Sequence, residues 1–181
     1  DYYASRGLGD VYKRQLLYCM LVISANETCN ILGEAVSGSV DAFVEKMNQR
    51  AQELGCQNTH FANTTGLTQS GHYSSAWDIY LITREAMKHD DFMTIVNTKA
   101  YTVPATNMTE KERELHSTNA LISNWRMTGY LYSGAQGIKT GTTDAAGHCL
   151  VSSAIRGSRT LISVVLGLSL IHISEPTRRV V

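Results

Sequence analysis

Sixteen basic side chains face sixteen acidic ones in this 181-residue chain, so there is no net charge and no field drawing it toward nucleic acid or an anionic membrane. It lacks any apolar run approaching the ~20 residues that cross a bilayer, which excludes a helical span within it. Cysteines are few, at Cys19, Cys29, Cys56 and Cys149, irregularly spaced and without a C-x-x-C pair. That excludes a disulfide framework, and nothing suggests zinc or a redox motif; the four are expected to be buried small side chains. His60, His72, His89, His116 and His148 show no ligand spacing, so metal-assisted hydrolysis has no support. What is present, 43% hydrophobic and 18% charged residues, suits one globular domain with a core.

Along the chain, the ends read differently from the middle. Segments 1–15 and 169–181 carry neither a helical nor a strand period. They read as non-native or disordered tails, similar to translated adapter sequence at the ends of fragmentary genes, and are set aside from fold reasoning. Lys13-Arg14, the apolar run from Leu16 to Ile23 and Ser24-Ala25 imitate a signal peptide, but Ile23 is large for its place before such a cut.

Residues 16–168 are the structured part. Leu16 to Ile23 and Glu27 to Val36 read as helices around Ser24-Ala25-Asn26. Val40, Phe43, Val44, Met47, Ala51 and Leu54 recur at three and four, with Ser39 as N-cap and Gly55 as stop. Ser75 and Asp78 open a further helix, and Asp90 or Asp91 caps a shorter one ending at Val96. Strands are expected over Thr98–Val103, Arg113–Ser117, Gln136–Thr140, His148–Ile155 and Thr160–Leu166, with a helical turn at 118–124 and a hairpin at Arg156-Gly157-Ser158-Arg159. Helices followed by a strand meander predict an α+β fold rather than alternating βαβ units.

Three features carry chemistry: Ser24-Ala25-Asn26 between two helices; Phe61 to Leu67 with His72-Tyr73-Ser74-Ser75-Ala76-x-Asp78; and Gly137-Ile138-Lys139-Thr140-Gly141-Thr142. Alone, S-x-N is most simply a helix cap, and K-T-G a strand running into a glycine turn. Their order and setting are more specific. A helix, S-x-N and a second helix, followed on a distant strand by K-T-G and a hairpin, resembles the serine acyl-enzyme group that includes penicillin-binding proteins. Asn58-Thr-His-Phe-Ala-Asn, the Gly66-Leu67 pair and Gly137-Ile-Lys-Thr-Gly-Thr-Thr-Asp-x-Ala-Gly narrow it to the low-molecular-mass penicillin-binding D-alanyl-D-alanine carboxypeptidases. The likeness covers Leu16 to Gly167.

The resemblance implies a partial β-lactamase/transpeptidase-like fold without the first strands of its sheet. It implies a serine-type enzyme, needing no cofactor, that acts outside the cytoplasm on peptidoglycan stem peptides ending in D-Ala-D-Ala and is acylated by β-lactams. Any membrane anchor would lie in regions not encoded here. Ser24 would serve the proton relay to the leaving amine, and Asn26 would hydrogen-bond the substrate amide. Lys139 would supply positive charge beside the cleft, Thr140 a hydroxyl for the substrate and Gly141 room for close approach. The backbone N–H of Thr142 would be one oxyanion donor.

One departure matters. No Ser or Thr upstream of Ser24 is followed three residues later by Lys, so the family's S-x-x-K nucleophile is absent and the chain by itself is expected to be inactive. Two alternatives share part of this pattern. A serine β-lactamase of class A would carry E-x-x-x-N between the two motifs, and none occurs between Asn26 and Lys139. A non-catalytic module binding cell-wall peptides would have to do so with half a cleft.

Overall fold

The computed structural model describes residues 2–105 and 109–168. Five helices come first: α1 (Tyr2–Ile23), α2 (Asn26–Ser37), α3 (Val40–Glu53), α4 (Ala76–Ala86) and α5 (Asp90–Val96). Five strands follow: β1 (Ala100–Val103), β2 (Arg113–His116), β3 (Ala135–Thr143), β4 (Gly147–Arg156) and β5 (Arg159–Leu168). Both sheets are antiparallel, one pairing β1 with β2 and the other in the order β3-β4-β5. The α+β reading stands.

Local chemistry explains the elements the sequence foretold. Ser39 caps α3 by accepting the Ala42 N–H at 3.1 Å, and Gly55 takes φ 85° just beyond its end. Ser75 caps α4 by accepting the Asp78 N–H at 3.2 Å. Gly157 and Ser158 alone join β4 to β5, with Gly157 at φ 58°, the positive value that two-residue hairpins demand.

Three expectations are corrected. Segment 1–15, read as a patternless tail, is helical from Tyr2 onward as part of α1; once Leu16–Ile23 supplies a helix, adding turns to it costs little, and Ala4, Leu8, Arg14 and Gln15 are good helix formers. Neither Asp90 nor Asp91 caps α5. Both sit in its first turn, after His89 at the cap position, where their charge still complements the helix dipole. The four cysteines are free, but half-buried rather than buried. The tail expected at 169–181 lies outside the described residues.

A core of Tyr18, Val22, Ile95, Val103 and Leu115 joins α1, α5 and the β1–β2 sheet, and the ring of Tyr18 stacks on that of Tyr101 at 3.8 Å. This cluster fixes the C-terminal end of α1, hence the place of Ser24. On the other side, α5 packs against β3. Gly137 makes that approach possible, since a Cβ there would lie 2.8 Å from the Val96 carbonyl oxygen, and its φ is 57°. Asn119, buried in the loop after β2, donates to the Gly137 carbonyl at 2.7 Å. The strand bearing Lys139 is thus held from both sides.

Candidate active site

Ser24 occupies the break between α1 and α2 and is the one non-glycine residue with positive φ, 64°, among those described. A serine there costs about 1–3 kcal/mol and persists only where its surroundings enforce it. The enforcement is visible: the Ala25 N–H returns to the Cys19 carbonyl at 3.1 Å, and the hydroxyl of buried Thr28 donates to the Ala25 carbonyl at 2.6 Å. The Ser24 side chain is left exposed.

Lys139 reaches it from β3. Its Nζ donates to Ser24 Oγ at 2.8 Å across 115 residues of sequence, and to the Thr140 carbonyl, also at 2.8 Å. Burial lowers the Lys139 ammonium from 10.5 to about 8, with nearby Cys29 pulling the other way. At neutral pH roughly a tenth of such lysines are uncharged, so Lys139 can supply positive charge in one form and take a proton in the other. The Cys29 thiol is itself pushed up by burial, against the influence of Lys139.

All six residues singled out in the sequence, Ser24, Asn26, Lys139, Thr140, Gly141 and Thr142, line one cleft of about 710 Å³. Thr140 and Thr118 share a hydroxyl–hydroxyl bond of 2.6 Å, so the Thr140 hydroxyl is already oriented. Thr142 Oγ1 lies 3.1 Å from His148 Nδ1 on the neighbouring strand. Gly141 has only the Cys149 Cβ, at 3.9 Å, near the place a Cβ would take; its backbone is bare toward the cleft.

Sequence reasoning missed part of the wall. Thr118, Arg126 and the tip Thr65-Gly66-Leu67 also line the cleft. No local pattern marks Thr118 or Arg126, whereas Gly66-Leu67 stands inside a motif that gives it no evident role by itself. A second hollow, about 320 Å³, is lined by Phe43, Met47, Leu54, Phe61 and Ile82, with Lys46 and Arg50 as its charged residues. It brings together none of the six residues singled out in the sequence.

The model of one protein family, described as D-alanyl-D-alanine carboxypeptidase (peptidase S11), matches residues 5–169. The chain belongs to this family. The match begins inside the segment that the sequence reading had set aside. Among curated members, D-alanyl-D-alanine carboxypeptidase DacF of Bacillus subtilis (strain 168) is 38% identical over 156 residues, covering 86% of this chain and 38% of the relative. The D-alanyl-D-alanine carboxypeptidase of Streptomyces sp. (strain K15) is 37% identical over 169 residues, covering 88% of this chain and 56% of the relative. The chain therefore spans between about a third and just over half of such members.

Solved structures agree. A mutant of the Streptomyces K15 DD-transpeptidase superposes with TM-score 0.79 at 36% identity, over 88% of this chain and 62% of that one. Penicillin-binding protein D2 of Listeria monocytogenes in its cefotaxime-bound form gives 0.70 at 31%, over 87% and 59%. The transpeptidase-like fold expected from the motifs is confirmed.

Proposed function

We propose that this cleft is the substrate site of a serine-type D-Ala-D-Ala carboxypeptidase acting on peptidoglycan stem peptides through an acyl-enzyme. The observation that carries the reading is the Lys139 Nζ to Ser24 Oγ bond of 2.8 Å in a cleft that also holds Asn26 and Thr140. A serine hydroxyl donates and accepts at once. Ser24, polarised by Lys139, can therefore pass a proton to the departing D-alanine amine, while the Lys139 charge draws the terminal carboxylate. Asn26 and the Thr140 hydroxyl face the peptide backbone. The N–H of Thr142 stabilises the oxyanion as the tetrahedral intermediate forms.

In this reading Ser24 relays protons and does not attack. The attacking serine, in an S-x-x-K motif, is a residue of the whole protein beyond these 181, and β-lactams acylate that serine. The site works outside the cytoplasm, where the family's cell-wall substrate is found. Within the described residues no helix is long and apolar enough to cross a membrane.

A fluorescent penicillin separated on a denaturing gel tests the proposal. The 181-residue chain should remain unlabelled, and the gene extended upstream through its S-x-x-K should label. Lys139→Ala in the extended protein should slow acylation by roughly 10²-fold, the usual effect of removing a preorganised electrostatic group. Stoichiometric labelling of the 181-residue chain, or normal labelling of the lysine variant, would refute the assignment of roles.

A further inference from the structure

The loop joining α3 to α4 is built as a strap. His60 and Tyr73 exchange backbone hydrogen bonds of 2.9 and 3.0 Å, closing the residues between them into a ring. Inside the ring, Asn63 Oδ1 accepts the N–H groups of Thr65 and Gly66 at 3.1 and 2.8 Å, and its Nδ2 donates to the Leu67 carbonyl at 2.9 Å. This turn presents Thr65-Gly66-Leu67 to the cleft. Two ties cross from the ring to the elements bearing the site. The Thr64 hydroxyl donates to Asn30 Oδ1 on α2 at 2.5 Å, and the Thr68 hydroxyl to Thr143 Oγ1 on β3 at 3.2 Å. The strap thus joins the helix that begins at Asn26 to the strand that carries Lys139.

Its base rests on one carboxylate. Asp78, in the first turn of α4, is 1% exposed. Its Oδ2 accepts the Asn58 N–H at 2.7 Å and the Thr59 hydroxyl at 2.8 Å, and Thr59 Oγ1 also lies 2.9 Å from Ser74 Oγ, so both ends of the loop converge there. Burial pushes the Asp78 carboxyl up, but Thr59, the amides of Asn58 and Gln57 and the Ser75 hydroxyl outweigh it and hold the group below its ordinary value. It is a carboxylate at neutral pH, the form in which one oxygen best accepts two donors. Asp78 does not line the cleft.

We infer that Asp78 is a positioning residue for the cleft: by fixing the base of the strap it sets how closely the wall Thr65-Gly66-Leu67 stands over Lys139 and Ser24. The inference rests on the proposed function only for what the cleft binds. Its physical content is water access. A wall held in place keeps solvent from Lys139, and a loosened one admits it.

Two variants of the chain, Asp78→Asn and the milder Thr59→Val, test this by amide hydrogen exchange and by NMR titration of Lys139 in protein labelled at lysine Cε. Asp78→Asn is expected to speed exchange across 57–75 by about 10-fold or more while leaving β4 and β5 unchanged. It should also raise the Lys139 midpoint from about 8 toward 10.5. Thr59→Val moves both readouts the same way by less, and carries the test if Asp78→Asn does not fold. Unchanged loop exchange overturns the inference. So does a loosened loop with the Lys139 midpoint at its wild-type value, because Asp78 would then serve stability alone. An even loss of protection across β4 and β5 in Thr59→Val overturns it as well. Neither readout uses a substrate, so failure here is distinct from failure of the penicillin experiment.

Discussion

Replacing Lys139 by methionine should make the protein more stable. The folded chain holds the ammonium only up to about pH 8, against 10.5 for an ordinary lysine, and at about 1.4 kcal/mol per pH unit this corresponds to at most about 3.5 kcal/mol for keeping the charge in the fold at neutral pH. Methionine matches the stem and removes the charge. It also forfeits the bonds to Ser24 Oγ and the Thr140 carbonyl, which offset about one to two kcal/mol in total. The net expectation at pH 7 is a gain of about 1–2 kcal/mol for Lys139→Met, together with loss of the proposed relay.

The pH dependence isolates the cause. Between about 8 and 10.5 the unfolded lysine still binds its proton and the folded one does not. Wild-type stability therefore gains on the variant as pH rises through that window, and the gap is constant below it. Other titrating groups are common to both proteins and cancel in the difference. Urea titrations followed by Trp77 and Trp125 fluorescence, at sub-micromolar protein, would measure the gap at neutral pH and near pH 10.5. A gap that does not change with pH, or a methionine variant less stable at pH 7, would refute the burial argument.

Two further expectations concern the scaffold. Gly137→Ala would drive a Cβ to 2.8 Å from the Val96 carbonyl oxygen at φ 57°, so it should cost at least about 2 kcal/mol and loosen Lys139, read as a lower urea midpoint and a shifted lysine titration. Strand β5 is an edge of its sheet among the described residues and carries exposed Leu161 and Leu166, a surface prone to edge-to-edge pairing. Leu161→Lys should reduce concentration-dependent association in size-exclusion chromatography, and an unchanged elution profile would count against the edge as its cause.

What the sequence made legible was whatever local chemistry decides. The α3 period with its Ser39 cap, the Ser75 cap and the Gly157 hairpin depend on neighbours within a few residues, and each formed where expected. The N-terminal half of α1 was invisible because its helicity is inherited from the segment that follows. Ser75 and Asp78 have the spacing of a reciprocal capping box, but only the serine half forms. The aspartate turns away to residues 58 and 59, 19 to 20 positions back in the chain, a choice no window of three could reveal. The site divides similarly. Its motif residues were found by order and spacing, whereas the Thr118 partner of Thr140, 22 residues away, and the wall at Thr65 to Leu67 exist only once distant elements meet.

The left-handed backbone at Ser24 has a consequence for how such a chain changes over generations. Glycine or asparagine would relax that junction, just as a neutral side chain at position 139 would relieve the strand, so both members of the pair stand where particular substitutions would give a firmer fold. In a lineage that no longer used the cleft, drift would erase Ser24 and Lys139 early, well before the caps and turns that serve folding alone. Found together here, 2.8 Å apart, the two side chains cost the fold stability that the proposed chemistry would have to justify.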